Sequence, residues 1–142
     1  MSARFATQRQ TEIGLGILRI VTGLVFAAHG YQKFFTMHIE GVTGFFTGLG
    51  VPLPGISAIL VSTLELAGGL AFAAGLFTRP IGVLLALDMA GAIFFFHTGF
   101  FVPKGVEFVL MNLASALALA IGGPGAFAID RMIGGRGSAS RT

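Results

Sequence analysis

No cysteine occurs in this chain of 142 residues, which excludes disulfides, thiolate metal sites and any thiol redox couple of its own. Redox chemistry involving this protein needs another carrier. Charge is scarce as well: 11% of residues are Asp, Glu, Lys or Arg, while 54% are hydrophobic. Mean hydropathy is +0.87, and a soluble domain of this size has no core large enough to hide so much apolar surface. A small-residue cleavage site is also missing after the first apolar run, where Gln32 and Lys33 stand instead; the expectation is an uncleaved insertion signal. The formal charge of +3 does not point to nucleic acid, because the bases sit in the tails and in short loops beside apolar runs. Anionic lipid headgroups are their expected counterions.

What remains is four long apolar stretches. A span needs roughly 20 residues at 1.5 Å each to cross about 30 Å of hydrocarbon. The pattern predicts helices over about 12–35, 56–77, 80–97 and 106–122, an all-α integral membrane four-helix bundle occupying residues 1–130. Pro54 precedes the second helix, where proline suits a helix start, and Gly122, Gly123, Pro124 and Gly125 stop the fourth. Residues 131–142, rich in Gly, Ser and Arg, read as a disordered basic tail. Alternating the spans gathers Arg4, Arg9, Arg79, Arg131, Arg136 and Arg141 on one side against Lys33 and Lys104 on the other. The positive-inside rule then puts both termini in the cytoplasm. The long connection, residues 36–55, faces outward, and its Phe45, Phe46, Val51 and Pro52 make it an expected half-buried cap.

An internal repeat is one reading of Ile13, Gly14 and His29, which recur as Ile81, Gly82 and His97 at the same spacing. Two helical hairpins about an axis along the membrane normal would produce it; chance in a chain with 22 glycines and 15 phenylalanines is the other.

Three spans carry an ionisable residue: Arg19, Glu65 and Asp88. Gly16, Arg19, Gly23, Phe26, Gly30 and Lys33 recur at spacings of three and four and share one face, so Arg19 points into the bundle, with small residues admitting a neighbour. A buried guanidinium needs a carboxylate, and Asp88 is the expected partner by depth, with Glu65 completing a triad. This buried polar cluster reads either as an ion-pair lock on helix register or as a proton relay or headgroup pocket. A second constellation gathers near the outer face: His29 and Lys33 with Tyr31 from the first helix, His97 from the third, Glu107 and Asn112 from the fourth. Their convergence on one outer polar pocket would suit a small quinone-type or thiol substrate; interfacial hydrogen bonding without a ligand is the alternative. Two histidines and a glutamate can ligate a transition metal, and facing histidines a haem, but no within-helix ligand spacing supports either.

These residues lie in stretches that resemble the DoxX family of small bacterial membrane proteins. The stretches are LRIVTGLVFAAHGYQKFF with Arg19, His29, Gly30 and Lys33; GLGVPLP; LELAGGLAFAAGLFTRP with Glu65; and HTGFF followed by GVE, with His97 and Glu107. They run in order from Leu18 toward Asn112. The resemblance implies a four-helix membrane bundle in the bacterial inner membrane, and it singles out Arg19, His29, Lys33, Glu65, His97 and Glu107. It associates such proteins with redox and sulfur metabolism: a relative of quinone-reducing thiosulfate oxidase subunits, and a mycobacterial complex with a superoxide dismutase and a sulfurtransferase.

Together these readings favour a membrane subunit of a redox or detoxification assembly, an accessory to an oxidoreductase with a quinone as its candidate cofactor. Its expected partners are the bilayer, redox enzymes and further copies of itself. A small-molecule or proton-coupled transporter, with a path through Arg19, Glu65 and Asp88, is the competing class, and a purely structural subunit the third.

Overall fold

A computed structural model describes residues 2–96, 99 and 106–138. Every regular element among them is helical: α1 Ser2–Phe35, α2 His38–Gly48, α3 Pro54–Ala74, α4 Thr78–Phe96, α5 Glu107–Gly122 and α6 Ile129–Ser138. Three of these helices, α1, α3 and α4, are long and apolar enough to cross a membrane. The fourth apolar helix, α5, has 16 residues.

Local sequence chemistry sets the boundaries. Pro54 occupies the first turn of α3, after Leu53 in the left-handed region at φ 47°, where its missing N–H costs nothing. At the other end Gly75 adopts φ 74°, and the N–H groups of Gly75 and Leu76 return to Phe72 O and Ala71 O. That is the glycine-ended Schellman closure. Within α3, Leu64–Gly68 form a π turn between α-helical Pro54–Thr63 and Gly69–Ala74. α1 begins ten residues earlier than the apolar pattern suggests, because its polar first turns simply continue the helix.

Glycines govern how the helices meet. A Cβ on Gly23 would stand 2.5 Å from the backbone nitrogen of Ala73, one on Gly69 2.5 Å from that of Ala27, and one on Gly30 would strike the backbone of Leu66. α1 and α3 are therefore packed backbone on backbone. α4 pairs with α5 in the same manner but less tightly: a Cβ on Gly82 would stand 3.1 Å from Ala116 O. The two glycines of the apparent repeat differ in use: Gly82 is packed, whereas Gly14 has nothing within 4 Å.

Two apolar clusters result. The larger contains Phe26, Phe72, Leu85 and Leu119, one from each of α1, α3, α4 and α5. The smaller joins Val42 and Phe46 of α2 to Ala58 of α3, with Phe96 of α4 against them. The long connection is thus a half-buried cap, and a helical one: Val42 and Phe46, one turn apart, face inward.

At the opposite end α6 takes in residues 131–138 of the expected disordered tail, and 139–142 lie outside the described residues. Three contacts fasten it. Asp130 accepts from the N–H groups of Phe77 and Thr78, at 2.8 and 2.9 Å, placing a carboxylate at the positive start of α4. Arg131 pairs with Glu12 at 2.8 Å, and the N–H of Asp130 reaches Gly75 O at 2.9 Å.

Candidate functional site

Arg19 is fully buried, yet no carboxylate among the described residues forms an ion pair or hydrogen bond with its guanidinium. It donates instead to Ala73 O (3.3 Å), Ala126 O (3.1 Å), Phe127 O (3.0 Å) and Pro124 O. Those carbonyls belong to the end of α3 and the α5–α6 linker, where helix-terminal acceptors would otherwise go without donors. The expected pairing of Arg19 with Asp88 is therefore replaced by a carbonyl clamp. The depth argument fails because Arg19 lies level with the start of α4, whereas Asp88 is ten residues into that helix, about 15 Å further along.

Glu65 and Asp88 belong to another centre. Lys33, from the last turn of α1, donates to Glu65 Oε2, and the Glu65 side chain is 6% exposed. Asp88 lies against the same pair, and its Oδ2 is buried without a hydrogen-bond partner. The π turn carries Glu65; such turns widen a helix locally and recur at functional sites.

Lys33, Glu65 and Asp88 form the polar floor of a cavity of about 840 Å³ in the half of the bundle nearest α2. That lies within the roughly 300–1,000 Å³ usual for small-molecule sites. His29 and Asn112 line it too, and Phe45, Phe46, Phe95, Phe96 and Phe108 supply aromatic wall. The Phe45 and Phe96 rings pack 5.0 Å apart, closing α2 over α4. His29 Nδ1 donates to Val25 O at 2.9 Å, and its ring lies 5.5 Å from that of Phe108.

The two constellations expected from sequence are thus regrouped. Arg19 leaves the buried cluster, while Glu65 and Asp88 join Lys33, His29 and Asn112 from the outer pocket. Glu107 opens α5 outside the cavity lining, Tyr31 stacks on Phe35 at 4.6 Å, and His97 lies outside the described residues. No group of three His, Cys, Asp or Glu able to hold a metal occurs among the described residues. The aromatic wall supplied by α2 went unread, although the apolar run Val42, Phe45, Phe46, Leu49 is the signal that marks it.

A sequence model of the DoxX family matches residues 14–98, the stretch that builds Arg19, the floor and most of the wall. The chain belongs to the DoxX family. A Bacillus subtilis protein named "Putative oxidoreductase CatD" is 37% identical over 122 residues, covering 86% of this chain and 88% of the relative. Two Escherichia coli relatives are named as inner membrane proteins: YphA, 34% identical over 81% of this chain and 86% of its own length, and YqjF, 33% identical over 86% and 93%. No solved structure matches. This DoxX protein is a multi-pass protein of the bacterial inner membrane, its apolar helices in contact with lipid.

Proposed function

We propose that this DoxX protein is a membrane subunit of a redox or detoxification assembly, and that its cavity binds a small ring-containing redox molecule of the quinone type. The observation that carries the proposal is the cavity itself: a Lys33–Glu65–Asp88 floor under an aromatic wall, inside a bundle whose outer surface is apolar. Ionisable groups within membrane helices are costly and tend to mark ligand or proton sites. A flat ring fits between phenylalanine faces, and polar oxygens on that ring need partners of the kind the floor provides. The oxidoreductase name provisionally given to the Bacillus relative points the same way. All four apolar helices cross the bilayer in this reading, with both termini in the cytoplasm and the α2 end outward. The described side chains of the floor and wall offer no metal site.

A transport path through Arg19, Glu65 and Asp88 lacks support, because Phe26, Phe72, Leu85 and Leu119 fill the bundle between the Arg19 clamp and the floor.

Native mass spectrometry after mild extraction tests the reading. A retained quinone or a copurifying oxidoreductase is the expected result, and Val61→Trp, which fills the cavity, should release the small molecule. A chain carrying lipid alone, unchanged by Val61→Trp, would sink the proposal.

A further inference from the structure

The hydrogen-bonding groups around the cavity are not evenly divided between donors and acceptors. His29 spends its Nδ1 proton on Val25 O. Asn112 gives an amide proton to Phe108 O at 2.9 Å, and Ser57 its hydroxyl proton to Pro52 O at 2.7 Å. Lys33 donates to Glu65. Each group spends one donor within the chain, which leaves Lys33 two N–H bonds and Asn112 one.

The acceptors are left over. Two carboxylates offer about four lone-pair sites each, against three N–H bonds on one ammonium. A proton held on the carboxyl pair would add a single donor and leave the deficit in place. Asp88 Oδ2 shows the consequence: it is buried with no donor placed on it, and the group beside Asp88 is a second carboxyl, that of Glu65. A buried acceptor in that condition is destabilising until a donor reaches it.

We infer that the cavity recognises its ligand by the ligand's own hydrogen-bond donors, and so takes the reduced, hydroxyl-bearing form of a quinone-type pair in preference to the oxidised, carbonyl-bearing form. The inference rests on the quinone reading of this site and adds the redox state that the site selects. Ring carbonyls bring more acceptors to a floor already short of donors; ring hydroxyls supply what Asp88 Oδ2 lacks. No electron transfer within the chain is implied. Selective binding alone shifts the bound couple: a tenfold preference for the two-electron-reduced form raises its potential by about 30 mV.

Three ligands titrated calorimetrically into the full chain in lipid nanodiscs decide the matter: a short-chain benzoquinone, its dihydroxy reduced form kept anaerobic, and the dimethoxy ether of that form. The ether keeps the ring and the oxygens but has no O–H. The expected order is the dihydroxy form tightest by tenfold or more over both others. Asp88→Asn, which exchanges an acceptor oxygen for an NH2 donor, should shrink that margin to a few-fold. Equal affinities, or tighter quinone, would overturn the inference and leave the quinone reading standing. Failure of all three to bind would overturn both. The comparison on the unaltered chain is sufficient even if the variant does not fold.

Discussion

At the scale of single residues, Arg19 has the most specific surroundings in the molecule. Its guanidinium holds carbonyls from the end of α3 and from the α5–α6 linker, and Arg19→Ala would leave them buried without a donor. Hydrogen bonds to charged groups contribute about 1.5–3 kcal/mol each, so a loss on the order of 3 kcal/mol or more is expected in thermal unfolding. Arg19→Lys should recover only part of it, since an ammonium cannot reproduce the planar fork; full rescue would mean that charge alone matters. Asp130 contributes to the pH dependence. Burial pushes its carboxyl up, but the N–H groups of Thr78 and Phe77 outweigh that effect and hold it below the ordinary carboxylate range. A depressed carboxylate stabilises the fold above its unfolded value and loses that contribution as pH falls through its folded value. Melting temperature should therefore drop more steeply below about pH 4 in the unaltered chain than in Asp130→Asn; parallel curves would count against this capping role. That Arg19 is buried was legible in the glycine-spaced face of α1. Its partners were not, because carbonyl oxygens leave no mark in a sequence, whereas carboxylates do.

Among the elements, the α1–α3 pairing depends on the absence of side chains. Gly30→Ala and Gly23→Ala should each force the helices apart and lower stability by several kcal/mol, as overpacking against backbone leaves no side chain free to move. Gly14→Ala, with nothing within 4 Å, should be neutral or stabilise by roughly 0.5–1 kcal/mol through helix propensity. Equal effects at Gly14 and Gly30 in a denaturation series would refute the backbone-on-backbone contact. The four apolar helices could be read from long runs and their stops. α2 could not, since Gly41, Gly44 and Gly48 make it resemble a loop, and only the burial of Val42 and Phe46 reveals a helix. The π turn is equally silent: one extra residue in a turn has no composition of its own. α6 was misread because Gly134, Gly135 and Gly137 suggest disorder, while the contacts that hold it come from Glu12, Gly75 and Thr78, far away in the chain.

For the whole molecule, the lack of cysteine makes orientation directly measurable. Single replacements Ser2→Cys, Thr47→Cys and Ser138→Cys can be probed in spheroplasts with a membrane-impermeant thiol reagent. Thr47→Cys should react, while the other two should react only after permeabilisation; labelling of either terminus in sealed cells would reverse the assigned topology. The family and the membrane class were legible because hydropathy and ordered motifs survive without coordinates. The joining of His29, Lys33, Glu65, Asp88 and Asn112 around one cavity was not, since it depends on the relative depth of four helices. The layer of Phe26, Phe72, Leu85 and Leu119 beneath that cavity works as an insulator. Phe26, Phe72, Leu85 and Leu119 themselves carry no group that could relay a charge. In the proposed topology, an enzyme that exchanges electrons with a molecule bound there would reach it from the outer face or through the lipid, leaving the cytoplasmic end for a different partner.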